Sequence, residues 1–141
     1  MDQNKFDMLK TELLLTQQQM DKYDQLSTTI KTWAVTLWVA SSGWALQTDK
    51  KTIFVLGIML VVVFWFFDGL NKTFRTNYKK RRDEVVEILR EFFNDGKVNK
   101  DVQTPQLPAY NLQGLFENTI APHISIPYLF FIIVSIVLLF I

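Results

Sequence analysis

The chain has 141 residues, 49% of them hydrophobic and 14% aromatic, with a net charge of +1, which is a more apolar composition than that of an ordinary soluble domain of this size. It has no cysteine, which excludes disulfides and cysteine-ligated metals. Its single histidine, His123, has no second histidine with which to form a metal site or a proton relay. The sequence shows no cluster of acidic side chains and no glycine-rich phosphate-binding loop of the kind that catalysis uses. We therefore expect no enzymatic activity and no cofactor.

Residues 1–31 are predicted to form a cytoplasmic amphipathic helix that is continuous with the first membrane span. Steps of three and four residues select a mainly apolar seam with a period of about 3.5 residues. The seam consists of Phe6, Leu9, Leu13, Thr16, Met20, Tyr23, Ser27, Ile30, Ala34, Leu37, Ser41 and Trp44. No proline or glycine precedes Gly43, so residues 3–47 are predicted to form one helix. Its small side chains at Ser27, Ala34 and Ser41 suit close helix contact in lipid.

Residues 32–48 carry no charge and are predicted as the first transmembrane helix, close to the lower limit of about 17 residues that can cross a bilayer. One face of this segment carries polar and small side chains. They are Thr32, Thr36, Ala40, Gly43 and Gln47. In lipid, such a face either packs against another helix or lines a water-filled pore. The sequence leaves both alternatives open.

Residues 48–51 are predicted as a turn, and residues 52–68 as the second transmembrane helix. No proline interrupts residues 52–95, and Asn94-Asp95-Gly96 has the composition of a helix end. Residues 69–95 are therefore predicted as a cytoplasmic basic amphipathic helix that continues the second span. Two arms of similar length joined by a short turn predict a long antiparallel helical hairpin with a cytoplasmic coiled extension.

The predicted hairpin sets particular charges opposite each other. Its register places Lys31 opposite Asp68 and Asp24 opposite Arg75. A carboxylate at the edge of the bilayer is costly unless a partner lies beside it. Lys31 and Asp68 are therefore predicted to form an ion pair at the membrane boundary.

Basic side chains follow the second span closely. They are Lys72, Arg75, Lys79, Lys80, Arg81 and Arg82. Since lysine and arginine concentrate on the cytoplasmic side of membrane proteins, this helix and the N-terminus are predicted to be cytoplasmic. The same side chains could bind anionic lipid head groups, bind a nucleotide or oligonucleotide signal, or pair with acids of the first helix.

Residues 96–123 contain three prolines and are predicted as a cytoplasmic linker. Residues 124–141 are predicted as a third transmembrane helix, with Pro127 in its first turn, where a missing N–H has no consequence. Three crossings would leave the C-terminus on the periplasmic or external face of the membrane.

Part of this pattern resembles a known family. The stretch from Ile30-Lys31-Thr32-Trp33 to Gly43-Trp44, the short turn, the second span and the basic helix resemble the small bacterial two-helix membrane effectors of antiphage defence, the SLATT-type group. The resemblance covers about residues 5–95. It implies self-assembly in the inner membrane and permeabilisation of that membrane when a partner sensor or a nucleotide signal is active. The third span departs from a two-helix plan.

The predicted fold class is an all-α membrane protein with a spanning antiparallel hairpin and a third, C-terminal transmembrane helix. The leading functional hypothesis is a homo-oligomeric effector that forms a pore in the inner membrane or disrupts it. The alternatives are a non-conducting anchor or scaffold whose cytoplasmic hairpin docks a soluble partner protein, and a regulatory subunit of a transporter.

Overall fold

The computed structural model describes residues 3–95, 104–106, 108 and 111–140. Within these residues the chain forms four α-helices and no strand. The helices are α1 (Gln3–Thr48), α2 (Lys51–Asp95), α3 (Leu115–Ile120) and α4 (Pro122–Phe140). The two long predicted helices, 3–47 and 52–95, are thus confirmed as α1 and α2. Gly96 of the predicted helix end, residues 96–103 of the predicted linker, and Ile141 of the third span lie outside the described residues.

The chain divides into two compact units, and each takes part of α1 and part of α2. The first, called the polar unit here, comprises Met1–Asp24 and Phe74–Asn111. The second, called the apolar unit, comprises Gln25–Thr73 and Leu112–Ile141, and so contains α3 and α4.

The polar unit has a small core of aliphatic and aromatic side chains. Leu9, Val85 and Ile88 are buried together, and the ring centroids of Phe6 and Phe92 lie 5.8 Å apart. The early residues of α1 therefore meet the late residues of α2, and they do so through the predicted seam. Rings and branched aliphatic chains contribute most of the apolar area that such a small core can remove from water.

The apolar unit holds α4 against both long helices. One cluster buries Ala34, Val61, Ile124 and Tyr128, from α1, α2 and α4. A second cluster buries Ala45, Ile53 and Phe54, and Leu138 and Leu139 pack against it. The order of these contacts shows that α4 runs in the same direction as this part of α1.

The seam shifts by one residue near the end of α1. Trp44, which the period of about 3.5 residues places in the seam, is 62% exposed, whereas Ala45 is 1% exposed. A straight α-helix has about 3.6 residues per turn, so a strict heptad position drifts by about 20° per heptad. After several heptads the drift is large enough that the following residue, here Ala45, faces the interior. The prediction that Trp44 lies in the seam is wrong for this reason.

Two residues, Asp49 and Lys50, join α1 to α2. Asp49 has φ 52°, in the left-handed region that aspartate tolerates better than most residues. The N–H of Ile53 donates to the carbonyl of Lys50 at 3.0 Å. The predicted turn at residues 48–51 is therefore two residues shorter than expected, because Thr48 and Lys51 belong to the helices.

The third predicted span begins earlier than expected. It is α4, which starts at Pro122, so Pro127 lies inside the helix and not in its first turn. The N–H groups of Ile124 and Ser125 both donate to the carbonyl of Ala121 and start the helix. Pro122 lies in the first turn of α4, the position that was predicted for Pro127. Its missing N–H has no consequence there, because N–H groups of the first turn have no helical partner. The predicted linker also contains a helix, α3.

Two of the described helices, α2 and α4, are long and apolar enough to cross a membrane. Their most apolar stretches are 28% and 22% buried, whereas a core helix of a soluble domain is mostly buried. The predicted first span, residues 32–48 of α1, is not one of these two helices. The threonine, serine and glutamine residues of that segment make it less apolar than the other two.

Candidate functional site

A buried carboxylate lies between three helices of the apolar unit. Asp68 of α2 is 1% exposed. Its Oδ1 accepts a hydrogen bond of 2.6 Å from Ser27 Oγ of α1, and its Oδ2 accepts one of 3.2 Å from Tyr128 OH of α4. The ammonium of Lys31 lies 3.6 Å from Oδ2 and is partly exposed. Asp68 thus joins α1, α2 and α4 through its two oxygens.

The structure brings Lys31 and Asp68 together, but the pair is only part of the site. Sequence reasoning placed Ser27 in the seam as a small contact residue without assigning it to Asp68, and it missed Tyr128. A buried carboxylate without a full ion pair needs hydrogen-bond donors. A search for polar residues within the apolar segments could have found both.

Indole N–H groups make two further polar contacts in this unit. Trp38 Nε1 donates to Ser135 Oγ at 2.7 Å, and Trp65 Nε1 donates to the carbonyl of Thr119 at 2.8 Å. These bonds attach α4 to α1 and α3 to α2. A buried indole usually finds such an acceptor, since an unpaired N–H in an apolar interior is costly.

Glycines mark the closest approaches between helices. A Cβ at Gly69 would overlap the hydroxyl of Thr119 and lie 3.1 Å from its Cα, so the backbone of α3 lies directly on α2 there. A Cβ at Gly57 would lie 2.8 Å from Ser41 Oγ, whereas one at Gly43 would meet nothing within 4 Å. The close contacts therefore use Gly57 and Gly69, and Gly43 borders open space.

The predicted polar face of the first span is exposed along its whole length. Its residues are Thr32, Thr36, Ala40, Gly43 and Gln47. The hydroxyls of Thr32 and Thr36 donate to the carbonyls one turn earlier at 2.9 Å, so their oxygens face outward as acceptors. Helix contact within the chain uses Ala34 and Ala45 instead. The face is therefore available to another molecule.

All three arginines of the predicted anion-binding stripe are paired with acids, and the contacts of Arg81 are described below. Arg75 Nη2 donates to Asp24 Oδ2 at 2.9 Å, and its Nε lies 2.6 Å from the other carboxylate oxygen. Arg82 Nη2 donates to Asp83 Oδ1 at 2.6 Å. The predicted register is reproduced at Asp24 and Arg75, and the carboxylates offset much of the positive charge.

The lysines of the stripe are in a different situation. Lys79 and Lys80 are exposed, and Lys72, which belongs to the apolar unit, is half-buried. The six basic residues therefore do not present a single cationic surface. Of these six residues, the two neighbouring lysines Lys79 and Lys80 are the exposed ones.

A second buried ion pair, which sequence reasoning missed, lies in the polar unit. Arg81 Nε donates to Glu12 Oε1 at 2.7 Å, and both side chains are less than a tenth exposed. Thr104 Oγ1 donates to the other oxygen of Glu12 at 2.6 Å, and Arg81 Nη1 donates to Glu84 at 3.1 Å. The signal in the sequence is that Glu12 follows Leu9 by three residues, on the apolar face of α1.

The environment changes the pKa of both partners. Burial alone would raise the pKa of Glu12. Its carboxylate, however, accepts hydrogen bonds from Arg81, Thr104 and the N–H of Gln106 and lies beside the charge of Arg81. These contacts outweigh burial, and the pKa of Glu12 lies below its ordinary value. Burial alone would lower the pKa of Arg81, but its bonds to Glu12 and Glu84 raise it. The pair is therefore ionised at neutral pH.

Comparison with family models, with curated proteins and with solved structures found no match for this chain. In the residues that the structure describes, no group of three or more His, Asp or Glu side chains is arranged to hold a metal ion. The fold itself defines a class, an all-helical protein with two helices long and apolar enough to span a membrane. The resemblance to SLATT-type effectors stays a prediction.

Proposed function

We propose that this protein is a multi-pass protein of the bacterial inner membrane that assembles with copies of itself and permeabilises the bilayer. Its role would be that of an effector in antiphage defence, as the resemblance to the SLATT-type group implies. In this proposal α1 and α2 form the hairpin, and the chain acts by assembly and not by catalysis.

Exposed apolar side chains support a lipid environment for the apolar unit. They cover α4 and the first half of α2, and include Val55, Leu56, Met59, Val62, Val63, Phe66, Phe67, Ile126, Leu129, Phe130, Ile133, Ile136, Val137 and Phe140. A soluble monomer rarely exposes an apolar surface of this extent. Lipid chains would cover it without any further protein partner.

The proposed topology has three crossings, with the N-terminus inside and the C-terminus outside. Residues 32–48 would cross because they pack on α2 and α4, which bury Ser42 and accept the indole N–H of Trp38. The basic residues after Asp68 support the orientation. Single cysteines at positions 49 and 79 of this cysteine-free chain test it with an impermeant thiol reagent on intact cells. Labelling at 49 with protection at 79 is expected, and the reverse would overturn the orientation.

One observation carries the pore hypothesis, namely the exposure of the polar face from Thr32 to Gln47 beside the apolar surface. Polar side chains turned to lipid gain no hydrogen bonds, and one chain cannot enclose a path through the bilayer. Repetition around an axis is the simplest arrangement that gives this face water or polar neighbours. Gly43, with open space beside it, would allow copies to approach closely.

The test is ion leakage from cells or liposomes. Thr36→Leu combined with Gly43→Leu fills the exposed polar face with apolar bulk and is expected to abolish leakage while leaving membrane insertion intact. Val55→Leu combined with Val62→Leu is the matched control, since both valines are exposed on α2, and it is expected to leave leakage unchanged.

The alternative is a non-conducting anchor whose polar unit docks a soluble partner or a nucleotide signal. The exposed lysines, Lys79 and Lys80, favour it, because they offer accessible positive charge outside the proposed spans. Unchanged leakage in the Thr36 and Gly43 double variant, or a monomer in native mass measurements, would make this alternative the better account.

A further inference from the structure

The polar unit contains a cavity of about 620 Å³ that the proposed membrane function does not use. It lies between the first turns of α1 and the segment that contains Pro105 and Pro108, with Tyr78 of α2 in its wall. Its volume falls in the range of about 300–1,000 Å³ that is typical of small-molecule sites. Met8 and Leu15 add to a wall that is mainly apolar, as such sites require.

The polar groups in the wall include two threonine hydroxyls and the carboxylate of Asp7, which can only accept hydrogen bonds from a ligand, and the amides of Gln19 and Gln106, which can donate or accept. The hydroxyl of Thr11 donates its proton to the carbonyl of Asp7 at 2.9 Å, and that of Thr16 donates to the carbonyl of Glu12 at 2.7 Å. A hydroxyl has one proton to donate, so both oxygens can offer only lone pairs to a ligand. A ligand with donors therefore matches this wall better than one with acceptors.

The charges point in the same direction. Asp7 is exposed at the cavity, and among the described residues its carboxylate accepts one long hydrogen bond, of 3.5 Å, from Gln3 Nε2. No lysine or arginine is among the described residues that line this cavity. The cationic side chains Lys80 and Arg81 line a neighbouring cavity of about 210 Å³, which shares Gln106 and Pro108 with the larger one. Arg81 pairs with Glu12, so an anion in the larger cavity would face the exposed carboxylate of Asp7.

We propose that the larger cavity binds a small molecule with an apolar or aromatic body and one protonated amine. The body packs against Leu15, Tyr78 and the prolines, and the amine lies at Asp7 and the threonine oxygens. This site is independent of oligomerisation and of the polar face of the first span.

The experiment uses the full chain in nanodiscs of zwitterionic lipid and two matched fluorinated probes, para-trifluoromethyl-benzylamine and para-trifluoromethyl-benzoate. Fluorine NMR titrations give the Kd of each, with empty nanodiscs as the blank for partition into lipid. The amine is expected to bind about fivefold more tightly than the benzoate, the upper end of what one exposed charge contact contributes. Equal binding of the two probes, or tighter binding of the benzoate, would overturn the proposal.

Two neighbouring leucines provide the structural control. Leu14 and Leu15 are exposed to a similar degree, at 58% and 54%, but only Leu15 lines the cavity. Leu15→Trp is expected to raise the Kd of the amine at least about tenfold, and Leu14→Trp to leave it unchanged. Asp7→Asn is expected to bring the Kd of the amine close to that of the benzoate. Equal effects of the two tryptophan variants, or an unchanged preference in Asp7→Asn, would show that the amine binds elsewhere.

Discussion

In the part of the chain that the structure describes, each unit buries one carboxylate, and the two carboxylates are stabilised in different ways. Glu12 in the polar unit has a buried guanidinium 2.7 Å away. Asp68 in the apolar unit has two hydroxyl donors, at 2.6 and 3.2 Å, and a partly exposed ammonium at 3.6 Å. The first is chiefly a charge pair, and the second is chiefly a set of neutral hydrogen bonds.

This difference predicts how sensitive each unit is to substitution of its buried carboxylate. A buried ion pair depends on both partners, since removal of one leaves the other charge uncompensated. Hydroxyl donors carry no net charge, so the loss of Asp68 would leave unsatisfied polar groups but no uncompensated buried cation. The polar unit should therefore be the more sensitive of the two to changes at its carboxylate.

The largest effect is expected at Glu12. Glu12→Ala leaves the guanidinium of Arg81 buried without its main partner and should destabilise the polar unit by about 3–5 kcal/mol. Hydrogen exchange at the amides of α1 before residue 24 measures this. Glu84→Ala removes the exposed partner of Arg81 and should cost less than about 1 kcal/mol. Equal effects would contradict the importance of the buried pair.

A smaller effect is expected at Asp68. Asp68→Leu removes the acceptor of Ser27 and Tyr128 and should destabilise the apolar unit by about 1–3 kcal/mol. Lys31→Met should cost less than about 1 kcal/mol, because its ammonium is partly exposed and 3.6 Å away. All four tryptophans belong to the apolar unit, so tryptophan fluorescence during unfolding measures both variants. A larger loss in Lys31→Met would show that charge, not hydroxyl donation, stabilises Asp68.

Two glycines provide a matched test of packing in the apolar unit. Gly69→Ala forces α3 away from α2 at Thr119 and should cost about 1–3 kcal/mol. Gly43→Ala meets open space and should stabilise α1 by about 0.5–1 kcal/mol. The same fluorescence measurement applies to both. A Gly69→Ala variant as stable as the parent chain would mean that α3 does not lie against α2.

The smallest effect is expected from pH, and only in the polar unit. The folded-state pKa of Glu12 lies below its ordinary value of 4.5, so the stability that this carboxylate contributes is present above that value and decreases as the pH falls through the folded pKa. Hydrogen exchange as a function of pH measures it, and Glu12→Gln is the control that lacks the titrating group. If the parent chain and Glu12→Gln lose stability in parallel below pH 4.5, the ion pair has no such role.

The helices and their pairing could be predicted from the sequence because they depend on period and composition. The seam and the absence of proline predict α1 and α2, and the short turn predicts that Lys31 lies level with Asp68 and Asp24 with Arg75. The error at Trp44 has the same origin, since a small difference between the sequence period and the helix period accumulates along the chain.

The remaining features could not be predicted because they depend on contacts with α3 and α4. The sequence gives no register for a helix that follows a proline-containing segment, so Tyr128 could not be assigned to Asp68, nor Ser135 to Trp38. The burial of Arg81 depends likewise on Glu12 and on Thr104, which lies 92 residues from Glu12. Local patterns contain no information on pairs at this separation.

The contacts of Asp68 also have an order in time during synthesis on the ribosome. Ser27 is 41 residues from Asp68, whereas Tyr128 is 60 residues beyond it, and Ser135 is 97 residues from Trp38. When residue 68 emerges, Ser27 and Lys31 have already been made and α4 has not. Because α4 and its partners belong to one unit, that unit cannot complete its polar contacts until Tyr128 and Ser135 have been made. Asp68 and Trp38 therefore wait for a hydrogen-bond partner that the last part of the chain supplies.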